Sequence, residues 1–306
     1  MNSEIRALLN DANSKYSNPW YRADDESILE IYDVQTHTRT VLCEFDTLIE
    51  APNWSPDGRY IYYNSHGKIY QYELATGNIS EINTDYVQNC NNDHVLSTDG
   101  TAIAVSHQTQ EDDQSRIYTV PLTGGVPRLI TPLAPSYLHG WSPDGQTLAY
   151  CAERGGEYDI YTIPVLGGVE KRLTTAPGLN DGPEYSSDGE YIWFNSVRSG
   201  LMQAWRMKAD GSEQTQMTFD EERNTWFPHI SPDNNLVVML SYRKGDLKPD
   251  EHLPHKDVEL RLMNSDGSNP HTIVTLFGGQ GTINVNSWSP DSTKFAFVSY
   301  RINPRE

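Results

Sequence analysis

Positive charge is what this sequence has least of: 23 Lys and Arg stand against 42 Asp and Glu, for a formal charge of −19. Nucleic-acid binding draws on a basic surface that releases counterions from the phosphates, and no Lys/Arg cluster supplies one here. Nucleic acid and anionic membrane surfaces are therefore not expected partners. Long apolar runs are also missing, and no window is long enough to span a bilayer. The first residues, MNSEIRALLNDANSKYSNPW, lack a basic region followed by an apolar stretch and a small-residue cleavage site, so no secretory signal is expected. Only three cysteines occur (Cys43, Cys90, Cys151), widely spaced and without a C-x-x-C pair, which fits reduced thiols and a cytoplasmic location. A G-x-S-x-G elbow is absent too, and with it the main motif of a serine hydrolase.

Helical periodicity is equally scarce. What recurs is period-2 alternation, as in Tyr60-Ile-Tyr-Tyr63 and Leu236-Val-Val-Met-Leu240, in a chain with 22 Gly, 18 Pro and 18 Tyr. Six times the chain returns to Ser-x-Asp followed by Gly or a substitute, beginning at Ser55, Ser97, Ser142, Ser186, Ser231 and Ser289. The first five turns are 42 to 45 residues apart and the last follows after 58, a period that belongs to propeller blades. In such a turn Asp accepts an Asx-type hydrogen bond, and Gly or Asn tolerates the positive φ that follows. Each unit parses as four strands, A to D from the axis outward. Strand A ends before the turn (Trp54, Leu96, Trp141, Tyr185, Ile230, Trp288), strand C is marked by Ile-Tyr (Lys68-Ile-Tyr70, Arg116-Ile-Tyr118, Asp159-Ile-Tyr161), and strand D by Leu-Thr or its like (Ile130-Thr131, Leu173-Thr174, Met217-Thr218). The sixth turn is followed only by a strand B that ends at Tyr300. Ser27–Tyr32 and Thr38–Leu42 have the form of the missing C and D strands, so the N-terminal strands are expected to close the last blade and remove an exposed sheet edge. The expected fold is an all-β, six-bladed propeller of four-stranded blades spanning 19–306, preceded by a leader over 1–18.

Repeats that read WSPDG-x-x-I-x-Y, then I-Y, then L-T resemble the WD40-like PD40 repeats of TolB-like propellers. Trp54-Ser-Pro-Asp-Gly58 and Trp141-Ser-Pro-Asp-Gly145 carry the resemblance best, and degenerate copies cover almost the whole chain. The family implies the fold more narrowly than the function, because its blades also occur in propeller domains of serine peptidases and in oligogalacturonate lyases.

In a propeller the D-to-A and B-to-C connections share one face, and residues just before each turn converge on the channel. Three positions before the turn serine stand Pro52, His94, His139, Pro183, Pro228 and Asn286; two before stand Asn53, Val95, Gly140, Glu184, His229 and Ser287. Asp93 and Asp181 lie at about the same level. Imidazole and carboxylate suit a divalent metal. His94, His139, His229 and Glu184 are therefore candidate ligands, with Mn²⁺, Zn²⁺ and Ca²⁺ the ions to test. The alternative is that each residue ties an inner strand to its neighbour. Strand alternation would also turn the two positions to opposite faces and send His229 away from the other two. The connection from Arg243 to Lys256 is long enough to act as a lid and brings His252 and His255 toward the mouth. Gln280 in FGGQGT, Asn286, Asp93 and Asp181 are candidate ligand-binding groups; Arg198 and Arg243 are the candidate anion partners. Trp20, Tyr137, Trp226 and Phe227 are rings able to stack on a sugar or to pack.

By likeness to the lyases, a metal would neutralise a sugar carboxylate while His139 or His255 abstracts a proton. The resulting expectation is a small polar, carbohydrate-like ligand bound or processed at the channel mouth. The TolB likeness implies the alternative, a non-catalytic scaffold for a peptide or partner protein.

Overall fold

The computed structural model describes residues 25–302; the expected leader over 1–18 and Trp20 lie outside the described residues. Five sheets have four strands each, in the order expected from the repeat. Blade 1 is Glu50–Trp54, Tyr60–Ser65, Lys68–Glu73 and Ile79–Glu81; blade 2 is Cys90–Leu96, Ala102–Gln108, Ser115–Pro121 and Arg128–Leu129. Blade 3 is Ser136–Trp141, Thr147–Arg154, Glu157–Pro164 and Lys171–Arg172; blade 4 is Asn180–Tyr185, Tyr191–Ser196, Gln203–Lys208 and Thr215–Gln216. Blade 5 is Arg223–Ile230, Leu236–Arg243, Lys256–Asn264 and His271–Gly278. In blade 6 the C-terminal strand Lys294–Ile302 pairs with Asp25–Asp33, which pairs with Thr38–Phe45. The N-terminal strands thus close the ring. The innermost segment of blade 6 joins by a bridge between Trp288 and Phe295.

The turns behave alike in every blade. The hydroxyls of Ser55, Ser97, Ser142, Ser186, Ser231 and Ser289 donate to the carboxylates of Asp57, Asp99, Asp144, Asp188, Asp233 and Asp291 at 2.5–2.7 Å. The next residue is left-handed in all six, with φ from 59° to 75°, including Asn234 and Ser292 where Gly is replaced. Apolar residues between neighbouring blades form the core, for instance Leu29, Ile61, Tyr63 and Val298 between blades 6 and 1.

The inner strands are not simple alternating strands. Each of the five assigned A strands breaks register once, between Glu50 and Asn53, Cys90 and His94, Leu138 and Gly140, Asp181 and Glu184, and Trp226 and His229. A β-bulge inserts residues that oppose nothing on the partner strand and re-aims their side chains. Three of the bulges contain an X-Pro pair whose first residue is left-handed: Ala51 (φ 55°), Gly182 (φ 62°) and Phe227 (φ 51°). Proline fits here because the A strand is an edge strand, with one side open to the channel.

Candidate functional site

The bulges build the site. Asn91, Asn92, Asp93, His139 and Phe227, all residues inserted at bulges, line a central cavity of about 800 Å³ at the mouth face. Glu50, Tyr137 and Asp181 border the bulges from the same strands, and Gln280 and Asn284 come from the short helical turn Gln280–Thr282 and the segment after it. The B-to-C connections add Asp113, Asp250 and His252, and the start of the third strand of blade 3 adds Glu157 and Tyr158. Six carboxyl groups (Glu50, Asp93, Asp113, Glu157, Asp181, Asp250) thus face a cavity in whose lining, among the described residues, there is no Lys or Arg.

A chain of polar contacts crosses the floor. The Nε2 of His139 lies 3.3 Å from Asp181 and 3.7 Å from Asp93. Asp93 accepts hydrogen bonds from the amides of Asn284 and Asn91, both at 2.7 Å. On the far side Asp181 lies 3.7 Å from His252, whose Nδ1 donates to Gln280 Oε1 at 2.6 Å. Burial alone would push the His139 imidazolium toward its neutral form, but the carboxylates of Asp181 and Asp93 outweigh burial and raise its pKa to about 9. For Asp181, burial acts upward and is overcome by His139, which holds the carboxyl down at about 2. Asp93 goes the other way: burial raises it, and His139 only partly offsets the rise. Glu50 has no cationic partner among the described residues and accepts only long hydrogen bonds, from Asn64 at 3.3 Å and Asn92 at 3.4 Å. Burial pushes its pKa up to about 7.

Phe227 supplies the apolar wall. Its ring stacks on His139 with centroids 5.8 Å apart and meets His252 edge-on at 5.4 Å. The left-handed backbone that puts it there is uncommon for a bulky residue. It is held by Asn195, whose Oδ1 accepts the Phe227 amide at 3.1 Å. Gly182 makes room for this arrangement, because a Cβ there would lie 2.6 Å from the same Asn195 oxygen and 3.1 Å from the Phe227 ring.

Of the residues singled out from the sequence, Asp93, Tyr137, His139, Asp181, Phe227, His252 and Gln280 come together at this cavity. The expected ligand set of His94, His139, His229 and Glu184 does not assemble. His229 gives Nδ1 to Glu184 at 2.5 Å and Nε2 to the Ile283 carbonyl at 2.8 Å, so it and Glu184 tie blades 4, 5 and 6 together. His94 is wholly buried, and neither ring nitrogen finds a hydrogen-bond partner among the described residues. Burial pushes its pKa down to about 3, which keeps it neutral. Among the described residues no group of three or more His, Cys, Asp or Glu is arranged to hold a metal ion. The metal expectation therefore does not fit this donor set, and the bulges are the reason: they separate positions that a regular strand register would have set at one depth.

The other expected ligand groups are committed elsewhere. Asn286 donates to Glu184 and to the Ile230 carbonyl. Arg198 is occupied by Ser196, Gln214 and Asn180 and lies over the Trp205 ring, away from the cavity lining. Arg243 points outward, 3.8 Å from Glu259, and Trp226 is fully buried behind the lining. The lid does bring His252 to the cavity, but His255 turns away and pairs with Asp25 at 2.7 Å. The two histidines expected to abstract a proton are thus a buried partner of Asp25 and an imidazolium already clamped by two carboxylates; neither geometry supports that role. Glu50, Asn92, Asn284 and Tyr158 were not singled out from the sequence. The X-Pro pairs within inner strands were the readable signal of bulges beside some of them.

The TolB beta propeller domain family matches residues 133–252. An uncharacterised protein of Agrobacterium fabrum is 46% identical over 275 residues, spanning 90% of this chain and 92% of that one. A solved structure described as a TolB from Agrobacterium tumefaciens is also 46% identical, covers 90% of this chain and 99% of its own, and superposes with a TM-score of 0.86. This chain belongs to the TolB-like β-propeller family. Tol-Pal system protein TolB of Francisella tularensis is 30% identical over 90% of this chain, and the chain spans 62% of that protein's length. An oligogalacturonate lyase solved in complex with manganese shares 13% identity with a TM-score of 0.54 over 91% of this chain, a likeness of fold alone.

Proposed function

We propose that this TolB-like propeller is a protein-interaction scaffold whose mouth cavity receives a positively charged segment of a partner. The observation that carries this reading is the lining: six carboxyl groups, three of them exposed (Asp113, Glu157 and Asp250), with His139 and His252 the only basic groups among the described lining residues. Carboxylates in a concave, partly water-excluded site attract a Lys or Arg side chain more strongly than the same charges spread over an open surface. Phe227, Tyr137 and Tyr158 add ring faces that favour a cation further. A uronate would meet this lining with the wrong sign, and the donor set does not fit a metal that could neutralise it. The carbohydrate reading is therefore less well supported than the scaffold reading.

Calorimetric titration of the protein with a lysine-rich and a glutamate-rich peptide of equal length tests this. The lysine-rich peptide is expected to bind and the glutamate-rich one not to. The paired change Glu157→Gln and Asp250→Asn should weaken binding several-fold at low salt, less at high salt, since both groups are screened by ions. Binding of a neutral oligosaccharide in place of either peptide would return the site to a small polar ligand. Indifference to peptide charge would sink the scaffold reading of this cavity.

A further inference from the structure

The mouth face carries more than the acidic cavity. Three large aromatic residues are exposed among the described residues, Tyr86, Tyr158 and Phe219, and all three stand at the mouth end of the blades, where the aliphatic Leu133 is exposed as well. Tyr86 precedes the inner strand of blade 2, Tyr158 begins the third strand of blade 3, and Phe219 lies between blades 4 and 5. The exposed apolar residues of the hairpins on the opposite face are aliphatic: Val126, Leu166 and Val169. Single exposed apolar residues need no explanation, but aromatic side chains gathered on one face are the composition of a recognition surface.

Phe219 is the most exposed of the three, at 75%, and it edges a second concavity of about 450 Å³ with Ser199, Leu201, Gln203, Gln216 and Lys244. The loop that presents it is fixed: Gln203 donates to the Asp220 carbonyl at 2.8 Å and accepts from Thr218 at 2.7 Å, and Lys244 Nζ reaches the Glu221 carbonyl at 3.0 Å. Arg261 and Arg223 pair with Asp220, at 2.8 and 3.5 Å, and Lys244 lies 3.8 Å from the Glu222 carboxylate. The groove is therefore preformed, with its main charges compensated, and it offers two apolar side chains, Leu201 and Phe219, among polar ones, with an acidic edge at Glu221. One cationic side chain in a funnel buries far less than the roughly 800 Å² per partner of a stable interface, so a partner must engage this face beyond the cavity.

We infer that the Phe219 groove is a second contact point for the same partner segment, which carries an aromatic or large aliphatic side chain beside its cationic residues. This deepens the scaffold reading and rests on it, and charge complementarity selects the occupant: an apolar residue flanked by basic ones.

The test uses the full chain and two capped lysine-rich peptides that differ at one position, Trp in one and Ser in the other. The Trp peptide is expected to bind roughly tenfold more tightly, and Phe219→Ser should erase that difference while leaving the Ser peptide unchanged. Val169→Ser, at an exposed site on the opposite face, should leave both affinities alone. If Phe219→Ser leaves the Trp peptide's advantage intact, or Val169→Ser removes it equally, the second contact point is overturned while the acidic cavity stands. If neither peptide binds the unaltered protein, the scaffold reading falls and this inference falls with it.

Discussion

The two faces of this propeller are made on opposite principles. On the turn face the same Ser-to-Asp hydrogen bond and the same left-handed residue recur in all six blades, even where Asn234 and Ser292 replace Gly. On the mouth face the inner strands differ from blade to blade: an Asn-Asn-Asp bulge in blade 2, a lone His139 in blade 3, X-Pro bulges in blades 1, 4 and 5. What repeats serves the fold, and what departs from the repeat lines the cavity.

That contrast is broken most severely at His139. Removing its ring by His139→Ala leaves Asp93 and Asp181 buried and facing each other without their cation. Uncompensated buried charge of this kind typically costs about 3–5 kcal/mol. Urea unfolding at neutral pH should show a loss of that order, partly recovered when Asp181→Asn is added. A loss no larger than that of a surface substitution would mean that the floor is not the coupled unit described here.

Glu50 gives the contrast a pH signature. Its carboxyl has a folded-state pKa of about 7 against an ordinary value of 4.5, so the folded protein holds a proton that the unfolded chain releases first. Below pH 4.5 both states are protonated and Glu50 contributes no penalty; between 4.5 and 7 the unfolded state alone ionises and stability falls; above 7 the whole penalty is present. A shift of this size corresponds to about 3 kcal/mol. Glu50→Gln should therefore stabilise the protein by up to that amount at pH 8 and by almost nothing at pH 4. Equal stability of the two proteins at both pH values would place Glu50 in contact with water or with a cation.

The fold was legible in the sequence because blade turns are local: a serine, an aspartate and a left-handed residue within four positions state the whole hydrogen-bond pattern. Ring closure by Ser27–Tyr32 and Thr38–Leu42 followed from counting strands, and the structure pairs them as counted. The site was legible only in part. Asp93, His139 and Asp181 were found by depth in the channel and Gln280 by its glycine-rich connection, but depth was reckoned on regular strands. The extra residues between Cys90 and His94 send Asp93 to the cavity and His94 to the core. His229 instead became the buried partner of Glu184, a pairing between blades that no spacing within one blade encodes.

The smallest expected effects lie on the turn face, and their sameness is the sharpest form of the comparison. Each turn aspartate accepts its serine hydroxyl and a backbone amide two residues on, for example Arg59 to Asp57 and Gln146 to Asp144 at 3.0 Å. The carboxylates lie at the surface while the serines that donate to them are buried, but each freed hydroxyl keeps a backbone carbonyl to turn to, as Ser186 and Ser289 already reach those of Tyr191 and Lys294. Each such change should cost about 1 kcal/mol, the net worth of ordinary hydrogen bonds. Asp57→Ala, Asp99→Ala and Asp144→Ala, measured one at a time by chemical unfolding, should give nearly equal losses. A turn that stands well apart from the other two would carry a role beyond the blade, and the division of labour between the faces would have to be redrawn at that position.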